Sequence, residues 1–172
     1  MLAIGLLAAL GACAQPARLD QMVPEASARP AGGSWLDGAL CVTAVSGGRD
    51  TDETDRAEVS DIALEKALVD TLVRNRLSPR LKRDCRYGLE AALVAVPAKA
   101  GPPGSEVSAL IDYRVLARGG DAPVYASTVE APFVVQTGRG AVGVDRLQRA
   151  KEGAVRANIG AFIDDLIAAT AR

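Results

Sequence analysis

The pattern of apolar and polar positions divides the chain into segments of different character. Met1 to Leu10 is an apolar run without a charged residue. Residues 14–34 show no apolar period. They carry Pro16, Pro24, Pro30, Gly32 and Gly33, the composition of a flexible tether. From Trp35 the pattern becomes regular. Residues 39–45, with Leu40, Cys41, Val42 and Val45, form a short apolar run stopped by Ser46-Gly47-Gly48, which predicts a first strand. Leu64, Ala67, Leu68, Thr71 and Leu72 recur at helical spacing, so residues 61–76 should form a helix capped by Ser60 or Asp61 and stopped by Pro79. Residues 87–96 read as a second strand. Residues 98–104 read as a turn. Over 106–117, Val107, Ala109, Ile111, Tyr113 and Val115 alternate with polar residues, which is a strand with one wet face. Arg118-Gly119-Gly120-Asp121 reads as a hairpin turn. The chain then returns as a fourth strand over 123–135, where Pro132, lacking an N–H, belongs on a sheet edge. The last helix is predicted over 145–170 from the stripe Leu147, Ala150, Ala154, Ala157, Ala161, Phe162 and Leu166. Gly153 and Gly160 weaken it while allowing close approach to the sheet.

The predicted order is β-α-β-β-β-α. Its simplest realisation is an α+β fold, a two-layer sandwich with a four-stranded mixed sheet and two helices on one face. The first crossover should be right-handed, with strands one and two parallel if they share the sheet. A length of 172 residues suits one globular domain, assigned to 35–172.

The apolar run at the N-terminus is too short to span a bilayer and fits the core of a secretion signal, residues 1–12. It ends in Leu10-Gly11-Ala12-Cys13. This tetrapeptide resembles the bacterial lipobox. By that resemblance cleavage precedes Cys13, whose thiol accepts a diacylglyceryl group and whose freed amine is also acylated. Several acyl chains together give stable anchoring where one does not. Residues 13–34 then comprise the lipidated cysteine and its tether. Ala14 stands where related systems use Asp to retain lipoproteins at the inner membrane. The resemblance therefore implies the outer membrane, facing the periplasm. A basic region ahead of the apolar run, usual in such leaders, is missing: no Lys or Arg precedes Arg18. The native start is accordingly expected upstream, or the sequence is trimmed.

Composition narrows the chemistry. There is no histidine, which removes the usual general base and the commonest metal ligand. A formal net charge of −1 gives no global pull toward nucleic acid. Neither a cofactor nor a metal is expected, and no catalytic residue is assigned. With Cys13 committed to lipid, Cys41 and Cys85 remain. Each lies near the start of a predicted strand, so the pair either forms a disulfide in an oxidising compartment or stays as two buried thiols.

Two further features stand out. Gly138-Arg139-Gly140-Ala141-Val142-Gly143 matches the G-x-G-x-x-G dinucleotide pattern between a strand and a helix. The second strand and ribose-binding acid that the pattern needs do not follow, so it reads as a flexible loop. Arg74, Arg76, Arg80, Lys82, Arg83 and Arg86 form a basic segment interrupted by Asp84. It is either a patch for an anionic partner, such as head groups, lipopolysaccharide phosphates or an acidic protein, or a solvated helix end favoured by the helix dipole. The acids of 50–58 read as a solvated loop. Glu90, Asp112 and Arg114 fall on the presumed wet face of the sheet.

Leader, tether and element order together resemble the small envelope lipoproteins of Gram-negative bacteria, among them the lipopolysaccharide-assembly lipoproteins and domains like the amino-terminal domain of TolB. That likeness implies a membrane-anchored, non-enzymatic component with an envelope protein as partner. The alternative is an accessory that binds lipid or glycolipid for transport. Nucleic acid is not an expected partner.

Overall fold

The fold follows from a computed structural model, which describes residues 17–29, 31–50, 58–101, 104–136 and 143–171. The elements are α1 (Leu19–Met22), β1 (Leu40–Ser46), α2 (Asp61–Arg74), β2 (Tyr87–Ala95), β3 (Ala98–Gly101), β4 (Gly104–Ala117), β5 (Pro123–Gln136) and α3 (Gly143–Thr170). β1 pairs parallel with β2. β2 and β3 both pair antiparallel with one side of β4, and β5 pairs with its other side. The result is the expected α+β fold, a mixed sheet four strands wide with the two long helices packed on one face.

Residues 98–101, expected in a turn, are instead strand. Beyond Leu110, β4 would expose its backbone groups, and Ala98–Gly101 pairs with them from Val107 to Gly104. β3 thus continues β2 across a break at Pro97, whose missing N–H interrupts the ladder and whose carbonyl accepts from Ser108 N–H at 3.1 Å.

α2 buries Leu64, Ala67, Leu68, Thr71 and Leu72, the residues its spacing marked. Ser60 is its N-cap, accepting from the Ala63 N–H at 3.2 Å. Asp61 does a different job: its carboxylate accepts from the Gly48 N–H at 2.6 Å and pins the turn after β1. Gly47 in that turn has φ 87°, and a Cβ there would run into the Leu93 carbonyl, so only glycine fits.

α3 is buried more widely than its sequence stripe suggested. Val155, Ile159, Ile163 and Ile167 are buried together with Ala150, Ala154, Phe162 and Leu166, whereas Ala161 is exposed. One flank meets the sheet, where Phe162 stacks on Tyr113 at 3.8 Å between ring centroids. Gly153 lies under the Phe133 ring of β5, so close that a Cβ would collide with it. Gly160 faces not the sheet but Pro24, which a side-chain methyl there would meet at 3.5 Å.

That contact exposes the main departure from the sequence reading. The described parts of the expected tether, 17–29 and 31–34, do not float. They lie along α3 and α2 as a strap, with Met22 fully buried and Val23 nearly so. Arg18 contacts Glu152, Ser27 donates its backbone N–H to Asn75 Oδ1 and its hydroxyl to the Asp164 carboxylate, and Ser34 meets Thr170. The strap therefore runs in the same direction as α3. The sequence pattern misses it because a single Met-Val pair fills a groove between two helices and leaves no period.

Candidate functional site

β1 and β2 start at the same end of the sheet, with Cys41 opposite Gly88. The N–H groups of Arg86 and Tyr87 both donate to the Ala39 carbonyl, at 2.9 and 3.0 Å. This backbone arrangement brings Cys85 beside Cys41 with Cα atoms 5.8 Å apart, and the two are joined as a disulfide. The bond closes a loop with a sequence separation of 44 that contains all of α2.

The basic segment collects at this same end. Arg74 lies in the last turn of α2. Arg76 follows in a left-handed conformation with φ 60°, its carbonyl accepting from Gly38 N–H at 2.9 Å. Arg80, Lys82 and Arg83 occupy the connection to β2, and Arg86 directly precedes that strand; all six side chains are exposed. The helix dipole acts within the last turn, so it accounts for Arg74 and not for the others.

The fold adds one cation that the sequence reading missed. Arg118 directly follows β4, and its backbone N–H donates to the Arg86 carbonyl at 2.9 Å. Its guanidinium donates to the Arg83 carbonyl at 3.1 Å. Arg86 and Arg118 are thus cross-strand neighbours of like charge, an arrangement that destabilises a sheet unless something anionic offsets it. The register between β2 and β4, invisible in one sequence, is what unites them. Asp37, Asp84 and Asp121 are the acids at this pole. The ion pair formed here among the described residues is Arg83–Asp84, loose at 3.8 Å and exposed. An open cleft of about 640 Å³ lies over the pole, lined by Gly38, Arg83, Arg86, Tyr87 and Arg118. A smaller one of about 350 Å³ continues onto the wet sheet face past Lys82, Cys85 and Gly88. Trp35 closes the back of the pole, edge-on to Tyr87 at 4.7 Å.

The other polar groups read as structural. Glu90 pairs with Arg114 across β2 and β4 at 3.6 Å, and Asp112 accepts from the Thr128 hydroxyl at 2.6 Å; both are surface contacts of the wet face. In the core, the Tyr113 hydroxyl donates to Asn158 Oδ1 at 2.9 Å, and burial pushes its pKa well above the usual value. The Tyr125 hydroxyl donates to Asp165, and partial burial with that bond raises it to about 12. At the opposite pole Lys151 pairs with Glu58 at 2.9 Å, and the buried Glu152 carboxylate accepts from Arg18 and Gln148. No cluster of three or more metal-ligating side chains occurs among the described residues, and none of their helices is long and apolar enough to cross a membrane. Cys13 and residues 138–142 of the glycine-rich stretch lie outside the described residues.

No protein-family profile matches the chain, and no curated protein matches it significantly in sequence. Solved structures do match its fold. A Xanthomonas campestris protein of the DUF330 family superposes with a TM-score of 0.59 at 12% identity, over 90% of this chain and 94% of its own. A lipoprotein candidate from Caulobacter crescentus gives 0.54 at 16% identity, over 81% and 94%. A dodecameric PelC variant from Paraburkholderia phytofirmans gives 0.50 at 18% identity, over 86% and 93%. At these identities the chain shares with them its fold, over nearly the whole length of each.

Proposed function

We propose that this chain is a lipid-anchored component of a Gram-negative cell envelope, tethered through Cys13 to the outer membrane on its periplasmic side. It acts by binding an envelope protein and not by turnover. The observation that carries the reading is the apolar leader ending in Leu10-Gly11-Ala12-Cys13, set directly ahead of a domain with a half-exposed disulfide. Disulfides persist in oxidising compartments, which agrees with export. The fold is also that of a lipoprotein candidate and of PelC, which forms a dodecamer, so it is compatible with an assembly role.

Carriage of lipid or glycolipid would need an apolar cavity between helices and sheet. That space is occupied by Tyr113, Phe162, Ile111, Leu89 and Ile159, all fully or almost fully buried, which supports binding at the surface instead. The test is intact mass and membrane fractionation of the chain expressed with its leader. The wild type should carry acyl mass and sediment with membranes, and Cys13→Ser should be released. Membrane retention of Cys13→Ser, or an unacylated wild type, refutes the anchor. Crosslinking in intact cells should then yield a stoichiometric protein partner; steady consumption of an envelope substrate by the purified protein would refute the non-enzymatic role.

A further inference from the structure

We infer that the strap holds the basic pole turned away from the anchoring membrane, and that this pole docks a carboxylate-rich segment of a protein partner, not the lipid head groups of its own leaflet. The inference rests on the proposed anchorage at Cys13.

The geometry begins at Arg18. Its backbone N–H donates to Glu152 Oε1 at 2.7 Å and its guanidinium reaches Oε2 of the same carboxylate at 3.3 Å. From there the strap follows α3 to its end, where Ser34 and Trp35 meet Thr170. The chain therefore enters the domain at the Glu152 pole and reaches the basic pole only after running the length of the helix. From Glu152 to Thr170 that is about 27 Å at the helical rise. The five residues from Cys13 to Arg18 span at most about 18 Å when fully extended. Inverting the domain so that the basic pole meets the leaflet head-on would need more chain than there is. The strap itself is secured at both poles and its apolar pair Met22-Val23 is buried, so it does not lengthen the reach.

The chemistry of the pole selects the partner. Arg83, Arg86 and Arg118 crowd one cleft, with Lys82 at its rim and a single loosely paired acid, Asp84, among them. The like-charged neighbours Arg86 and Arg118 are held together through backbone carbonyls, the Arg118 N–H donating to that of Arg86 and its guanidinium to that of Arg83. Planar guanidinium groups match carboxylates in pairs, and a cleft open to solvent admits an extended chain. Since the leaflet that holds the protein lies behind it, the anion offered to this pole comes from a protein on the far side.

Trp35 is the chain's only tryptophan and stands at the basic pole, so the native protein carries its own probe. The acylated chain, checked by intact mass, is reconstituted in anionic phosphatidylglycerol vesicles with and without brominated acyl chains. Trp35 emission should be the same in both. Poly-glutamate should bind the wild type in a salt-sensitive manner, and the triple variant Arg83→Ala/Arg86→Ala/Arg118→Ala should bind it about tenfold or more weakly. A triple Arg→Lys variant keeps the charge but loses the planar forks, so it should bind more weakly than the wild type and more tightly than the Ala variant, and near-identical thermal melts confirm that these exposed substitutions leave the fold intact. Quenching of Trp35 by brominated lipid, or poly-glutamate binding unchanged in the Ala variant, overturns the inference. A chain lacking acyl mass would instead refute the anchor, because poly-glutamate binding reads the pole with or without lipid.

Discussion

Asn158 is the most informative single position in the core. It is fully buried on α3, yet it makes three hydrogen bonds that tie the helix to two strands. Its Oδ1 accepts from the Tyr113 hydroxyl at 2.9 Å, and its Nδ2 donates to the carbonyls of Ala109 on β4 and Val129 on β5, at 2.8 and 2.7 Å. Asn158→Ala removes all three. The Tyr113 hydroxyl is left buried without an acceptor, costing about 1–3 kcal/mol, and each lost amide bond costs roughly 0.5–1.5 kcal/mol. The expected destabilisation is therefore about 2–6 kcal/mol, a large share of the roughly 5–15 kcal/mol available to such a domain. Tyr113→Phe removes only the hydroxyl and keeps the stack on Phe162, so about 1–2 kcal/mol should be lost. In the double variant the orphaned hydroxyl no longer exists, and its loss should be smaller than the sum of the two singles. Urea unfolding followed by circular dichroism measures all three. A loss below about 1 kcal/mol for Asn158→Ala, or strict additivity in the cycle, would refute this account of how α3 is registered on the sheet.

Gly153→Ala should destabilise the protein in a thermal melt because its methyl meets the Phe133 ring, whereas in a Phe133→Ala background the same change should stabilise it by about 1 kcal/mol through helix propensity. Replacing Cys41 and Cys85 together by Ser should cost about 2–4 kcal/mol in urea unfolding, since the bond closes a loop with a separation of 44. Tyr125, raised to about 12 in the folded state, contributes stability that is fully present below its unfolded value of about 10 and is lost as pH rises through about 12. Alkaline unfolding monitored by phenolate absorbance should therefore shift in Tyr125→Phe, with no change in stability slope at neutral pH.

Most of the domain is readable from pattern alone. The spacing of Leu64, Leu68 and Leu72 places α2 and names its buried face, and the alternation from Val107 to Val115 does the same for β4. Pro132 correctly marks β5 as an outer strand, which pairs with β4 alone among the described strands. The parallel pairing of β1 and β2 makes the Cys41–Cys85 bond accessible to inference. What stays hidden depends on partners distant in sequence. β3 forms because β4 is longer than β2 and offers backbone groups to satisfy, a condition that residues 98–101 do not carry themselves. Met22 is buried by a groove that exists only once α2 and α3 are side by side. The basic pole is half legible: six of its cations are consecutive enough to notice, but Arg118 joins them only through the register of β2 and β4.

The strap also sets an order of events during synthesis. Its contacts reach to Glu152, Asp164 and Thr170, at sequence separations of 134, 137 and 136, so the first described segment to be made can complete its docking only when the last helix has emerged. Contacts this remote form late. The strap is thus closed onto α3 only when the C-terminal helix arrives. Under the proposed anchorage, loss of the final turns of α3 would leave the attachment chemistry untouched but the protein free to swing on its lipid.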